Sequence, residues 1–167
     1  MVVQPVRSLS HPDIAYFVFD AATRTAGLVD PADDRLVRNL LRVYDARLEW
    51  VAWTREDDDV GRAMNRIAAA TGAAVVSSPS FQLGRFAFHA IPLRGVPYRF
   101  IRGPLALFTG QVLSAGEVME SSEALRRQVM EEVLNILDTL PDLTRLYPAK
   151  GPQSNVWLER TYNSDFW

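Results

Sequence analysis

The chain is 167 residues long, 48% apolar and 23% charged, a globular composition with room for one ordinary domain over residues 1–167 and too little chain for two. Its 18 basic and 20 acidic side chains give a formal charge of −2, which excludes the basic excess of a general nucleic-acid binder. With no cysteine and two histidines, disulfides, thiolate metal sites and cysteine nucleophiles are excluded, and a histidine-rich zinc or non-haem iron site nearly so.

No stretch approaches the about 20 apolar residues of a membrane span. Met1–Ser10 has neither the charged n-region nor the apolar h-region of a signal peptide, so no membrane association and a cytoplasmic location are expected. Ile14–Phe19 is an aromatic and β-branched run that reads as a strand. Asp20–Arg24 is turn-like, and Thr25–Val29 reads as a second strand, a hairpin that closes at Asp30-Pro31. Leu36, Val37, Leu40, Leu41 and Tyr44 share one face of a helix over 33–45. Leu48–Trp53 reads as a buried strand. The acidic run Glu56–Asp59 reads as a solvated loop capping a helix whose apolar face is Val60, Met64, Ile67 and Ala68, and which Gly72 stops. Strands are expected at 73–76, 81–83, 86–91, 98–102 and 105–109, separated by Gly and Pro. A long helix runs from Ser122 to Leu140 with Leu125, Val129, Val133, Ile136, Leu137 and Leu140 on one face, and Pro141 ends it. Leu143–Tyr147 reads as a last strand, and 151–167 as a polar tail carrying Trp157, Phe166 and Trp167. This order fits an α/β fold in which sheets are covered by helices.

Five segments carry a family resemblance. They are Tyr16–Asp20 running to Thr25–Pro31, Leu48–Thr54, Leu107-Phe-Thr-Gly110, Leu146-Tyr-Pro-Ala149, and the tail from Ser154-Asn155-Val156 through Glu159-Arg160 to Asn163. In order and spacing they resemble the metallo-β-lactamase superfamily, in particular its glyoxalase II and persulfide dioxygenase branch. The matched motifs are that family's opening hairpin ending in I-D-P, the strand before its first metal motif, F-T-G-D, Y-P-G-H, and S-x-x-x-E-x-x-x-N-P. The resemblance implies a four-layer αββα sandwich, here shortened, with the site at one edge between the two sheets.

The resemblance fails at the ligands. The family's T-H-x-H-x-D-H motif meets Thr54-Arg55-Glu56-Asp57-Asp58-Asp59-Val60, where Arg55, Asp57 and Val60 stand at the histidine positions and only Asp59 matches. Arg94 is the counterpart of the next histidine, Gln111 of the bridging aspartate and Lys150 of the last histidine. The G-R-T-D-F pattern that follows F-T-G-D in the family is missing between Gln111 and Ser122. Arginine has no lone pair to donate, lysine ligates only when deprotonated, and valine offers nothing. Asp57 and Asp59 alone suit at most a weakly held hydrated Mg²⁺ or Ca²⁺. No cofactor is therefore expected.

If the fold is kept, Arg55, Arg94 and Lys150 converge near Asp57 and Asp59. Their cations then either replace the metal in a salt-bridge network or bind a small anion. His89, in a strand with Phe86 and Phe88, reads as an edge or half-buried structural residue, and His11 as part of a loop. Ser77–Ser80 lacks a nucleophile elbow. Phe166 and Trp167 either pack on the body or dock a partner. The expectation is a metal-free pseudoenzyme acting as a binding, assembly or regulatory protein, with a protein partner or, by resemblance, a homodimer. A sensor or carrier of a small anion is the first alternative. An enzyme of altered chemistry using Lys150 as base is the second.

Overall fold

In a computed structural model, two sheets lie face to face and each is covered on its outer side by helices. Residues 1–8, 11–31, 33–56, 58–119 and 122–167 are described, Asp59 by its backbone alone. In chain order the first half forms β1 (Val2–Ser8), β2 (His11–Asp20), β3 (Thr25–Val29), α1 (Asp34–Val43), β4 (Arg47–Ala52), α2 (Asp58–Thr71) and β5 (Ala74–Val75). The second half forms β6 (Ser80–Leu83), β7 (Phe86–Pro92), β8 (Arg99–Gly103), β9 (Ala106–Gly110), β10 (Leu113–Ser114), β11 (Glu117–Val118), α3 (Glu123–Asp138), β12 (Arg145–Pro148), β13 (Ser154–Asn155) and α4 (Val156–Tyr162), ending in a 3₁₀ turn over Ser164–Phe166.

One sheet has the order β1-β2-β3-β4-β5, the other β13-β12-β9-β8-β7-β6, and β10-β11 is a small separate hairpin. The β3–β4 and β4–β5 pairs are parallel, bridged by α1 and α2 as crossover helices. In the second sheet β9 and β12 are parallel, with α3 in the connection between them.

The sequence pattern explains the layers. Along β2, Ile14, Tyr16 and Val18 point into the core between the sheets, while Phe17 and Phe19 point into the core under α1 and α2. Along β9, Phe108 enters the inter-sheet core and Leu107 the core under α3. Strands buried on both faces carry continuous apolar runs, which is why these segments are legible as strands but show no alternation. The α3 face is as predicted: Val129, Val133 and Leu137 are buried at i, i+4 spacing. Asp33 caps α1, its carboxylate accepting from the backbone N–H of Arg35 at 3.0 Å and Leu36 at 3.1 Å. Gly27 leaves room for Trp50, whose ring lies 2.2 Å from where a Cβ would stand.

β1, β10–β11, β13, α4 and the final 3₁₀ turn escape the sequence reading. β1 is an edge strand that contains Pro5, and the others are too short for a periodic signal. The tail is anchored rather than loose. The buried Glu159 carboxylate accepts from Gly116 N at 3.1 Å and Asn163 Nδ2 at 2.8 Å, and Asp165 accepts from Val118 N at 2.7 Å. Phe166 packs against the α3 core, whereas Trp167 is 85% exposed. Among the described residues no helix is long and apolar enough to cross a membrane.

Candidate functional site

The carboxyl ends of β3, β4, β9 and β12 open at one edge of the sandwich. Hydrogen bonds tie the two sheets together there: Ile14 N donates to Ala149 O at 2.7 Å and the Tyr16 hydroxyl to Pro148 O at 2.6 Å, while Ala149 N donates to Gly110 O at 2.7 Å within the second sheet. These bonds set the start of β2 beside the residues that follow β9 and β12, so Asp13, Gln111 and Lys150 become neighbours.

A side-chain chain results. Arg55 Nη1 donates to Gln111 Oε1 at 2.7 Å, and Gln111 Nε2 donates to Asp13 Oδ2. Asp13 Oδ1 is buried and makes no hydrogen bond among the described residues; Lys150 Nζ lies 3.6 Å from it. Arg55, Gln111 and Lys150, three of the positions that the family resemblance assigns to metal ligands, are thus brought together through an aspartate that the sequence reading did not single out.

A second polar knot lies behind this chain. Asp30 has a φ of +52°, uncommon for a non-glycine residue, and both its oxygens accept from Thr54, from the backbone N–H at 2.6 Å and from the hydroxyl at 2.6 Å. Burial pushes the Asp30 carboxyl up to about 6, with Asp13 adding to the rise and the Thr54 hydrogen bonds and Arg55 opposing it. Gly110, at a φ of +56°, allows this approach, since a Cβ there would stand 2.1 Å from Thr54 Oγ1. Arg99 closes the neighbouring wall. Its Cζ sits 3.4 Å from the centre of the Trp53 ring, and its guanidinium donates to Trp53 O at 2.9 Å and Val76 O at 3.3 Å. Burial lowers its pKa, opposed by the charges of Asp30 and Glu56.

Between these groups and α2 lies a pocket of about 190 Å³. Its lining includes His11, Asp13 and Asp30 on one side and Arg55, Arg62 and Arg66 on the other. The donor set does not fit the metal that the resemblance implies. No three His, Asp or Glu side chains among the described residues group closely enough to hold an ion. Both Asp30 oxygens accept from Thr54, and Asp13 accepts from Gln111 at Oδ2 with the Lys150 ammonium 3.6 Å from Oδ1.

The remaining expected site residues fall as follows. Arg94 does not join the cluster: it lies beyond β7, 89% exposed, with its Nε 3.7 Å from Glu132 of α3. The three-cation convergence is therefore corrected to two, because the β7–β8 connection turns towards α3 and away from the pocket. Asp57 lies outside the described residues, and of Asp59 only its place in the first turn of α2 is described. Lys150 is 52% exposed, so the desolvation that a lysine base requires is absent. His11 is not a loop residue but opens β2 and lines the pocket, its Nδ1 accepting from Asp13 N at 3.3 Å. His89 is exposed rather than half-buried and pairs with Ser80 Oγ at 3.1 Å on the outer β6–β7 hairpin, away from the pocket. Asp13, Asp30, Arg62 and Arg66 are site residues that the sequence reading missed. Of these only Asp30 carried a signal, the Asp-Pro step at the end of the hairpin.

No protein-family model matches this sequence, and no curated protein is significantly similar to it. Solved structures do match. ETHE1 from Myxococcus xanthus superposes with a TM-score of 0.83 at 22% identity, covering 99% of this chain and 88% of that one. The BLEG-1 B3 metallo-β-lactamase gives 0.81 at 14% identity over 99% of both chains. A metallo-β-lactamase from Staphylococcus aureus subsp. aureus COL gives 0.85 at 16% identity, covering 99% of this chain and 63% of that one. The chain has the metallo-β-lactamase fold.

Proposed function

We propose that this chain is a metal-independent member of its fold that works by binding rather than by hydrolysis or oxygenation. The observation that carries this reading is the chain Arg55–Gln111–Asp13–Lys150, which spans the mouth of the sandwich with fixed cations and an amide. Lys150 supplies positive charge against Asp13, and Arg55 against Asp30. Neither side chain offers an open coordination position, so neither can lower the pKa of a bound water or polarise a carbonyl as a Lewis acid does. A neighbour of the same fold, TTHA1623, has been solved in a di-iron-bound form, at 18% identity and a TM-score of 0.76. That metal belongs to TTHA1623, and this chain's described side chains do not supply an equivalent donor set.

The test is metal content per chain, by elemental analysis of untagged protein purified without chelator, together with thermal unfolding in added zinc, iron and manganese. Substoichiometric traces and an unchanged Tm are expected. One or two equivalents of a transition metal, or a Tm that rises with added metal, would overturn the proposal.

A further inference from the structure

We infer that the outward face of α4, with Leu143 and Trp167 beside it, is an interface between two copies of this chain. This assembly does not depend on the absence of a metal, and its test reads mass rather than ions.

Exposed apolar side chains scattered singly, such as Val43 on α1, need no explanation. Five others gather in one place. Leu143, Trp157, Leu158, Tyr162 and Trp167 are 78%, 47%, 38%, 69% and 85% exposed. α4 buries Val156 and Glu159, and so turns Trp157, Leu158 and Tyr162 outward. The Trp157 and Tyr162 rings meet edge to face with their centres 5.7 Å apart. Trp157 N donates to Asp142 O at 3.1 Å, which places Leu143 next to it, and Trp157 and Trp167 line one groove between α3 and α4.

The area matches what a dimer needs. At about 150–250 Å² for a whole aromatic side chain, the exposed parts of these five residues come to about 650 Å². That exceeds the roughly 300–600 Å² of the largest apolar patch on an ordinary monomer. Two such faces covering each other remove about 1,300 Å² from water, within the roughly 1,200–2,000 Å² of a stable interface. Tryptophan and tyrosine are also the side chains that dominate interface energies, because they bring large area with few rotations to fix. The backbone beneath them is already set. Asn155 caps α4 by accepting from Leu158 N at 2.9 Å, and the buried Glu159 and Asn163 hold its far end, so association orders little more.

Charge selects the occupant. Arg160 lies 3.0 Å from Asp138 and 3.3 Å from Asp142 at the rim of this face. Both signs are therefore present, and a two-fold axis brings the arginine and carboxylates of one copy to those of its partner, so the face does not repel itself. A lipid surface fits less well, since two carboxylates against one arginine lack the basic surplus that anionic headgroups attract. Leu143 and Trp157 stand where β12 begins, whereas the pocket opens where β12 ends, so the shared face is separate from the pocket mouth.

The test is sedimentation equilibrium of the full chain from about 1 to 100 µM, the range in which an interface of this size is expected to associate. A mass approaching twice the chain's 18.8 kDa is expected. Tyr162→Glu and Trp167→Glu each put a charge on the face at an exposed position and are expected to weaken the dimer about thirtyfold or more, with the fold checked by far-UV circular dichroism. Val43→Glu, on α1, is expected to dimerise as the native chain does. Acrylamide quenching of the native tryptophan fluorescence reads the same face without a substitution, and is expected to fall as concentration rises and Trp157 and Trp167 are covered. A mass of 18.8 kDa at every concentration would overturn the inference. So would a dimer that survives the Tyr162→Glu, Trp167→Glu double variant, or a monomer that pellets with vesicles of phosphatidylglycerol and phosphatidylcholine. All three results would leave the metal-independent reading standing.

Discussion

Asp30→Asn is expected to change how stability depends on pH. The Asp30 carboxyl is raised from an ordinary 3.8 to about 6, first by burial and then by Asp13, with Thr54 and Arg55 opposing. The native state therefore holds this proton more tightly than the unfolded chain does. The resulting stability is fully present below the unfolded value of 3.8 and is lost as pH rises through about 6. A rise of about 2 pH units corresponds to about 3 kcal/mol, an upper bound because Asp30 keeps some contact with solvent. About 2 kcal/mol of it falls between pH 4 and pH 8, since the unfolded chain already loses part of its protons near pH 4. Asparagine does not titrate, and whatever it costs in rearranged hydrogen bonds to Thr54 is the same at every pH. The stability difference between variant and native protein should therefore move by about 2 kcal/mol in the variant's favour from pH 4 to pH 8. Urea unfolding at constant ionic strength, followed by tryptophan fluorescence with the m-value checked for constancy, measures this. A difference that stays constant within about 0.5 kcal/mol, or that moves the other way, would refute a buried Asp30 carboxyl that holds its proton more tightly in the native state.

Gly110→Ala should destabilise the chain by about 2–5 kcal/mol, from the left-handed backbone and from the disturbed Thr54–Asp30 pair. Thermal unfolding would then show a Tm roughly 4–20 °C lower, and a loss below about 1 kcal/mol would mean the two loops are not held in this contact. Asp13→Ala strands the Gln111 amide and should cost about 1–3 kcal/mol, whereas Asp13→Asn keeps an acceptor and should cost under about 1 kcal/mol because the pair it loses is half exposed. Chemical unfolding of the two variants side by side checks the order; equal costs would show that the charge, not the hydrogen bond, matters. Arg99→Lys removes the planar stack on Trp53 and a carbonyl-bridging fork, for about 1–3 kcal/mol and an altered tryptophan emission. Unchanged emission and stability would exclude that stack in solution.

Much of the fold was legible in the chain. The hairpin at 14–29, the helix before Leu48, the strand that follows it and the long helix with Val129, Val133 and Leu137 on one face are strong local signals. Each repeats an apolar pattern over enough residues to outweigh neighbouring noise. β1, β10–β11 and α4 were not legible because their stability comes from partners: β1 from pairing with β2, and α4 from the buried Glu159 that joins Gly116 to Asn163. The exclusions by composition, with no thiolate and only two histidines, came from counting alone.

The site divides in the same way. The residue types at positions 55, 111 and 150 raised the expectation that cations and an amide stand where the family resemblance places metal ligands. Which of those side chains meet was a tertiary matter. It depends on Ile14 bonding to Ala149, a contact across 135 positions of chain that brings Asp13 between Gln111 and Lys150. Arg94 looked equivalent in sequence and is sent elsewhere by the turn after β7. Arg62 and Arg66, which no sequence signal singled out, line the pocket beside α2. A linear pattern determines which face of an element is buried, because that depends on near neighbours. Only the packed sheets determine which strand ends open together, because that depends on contacts between segments with no fixed relation along the chain.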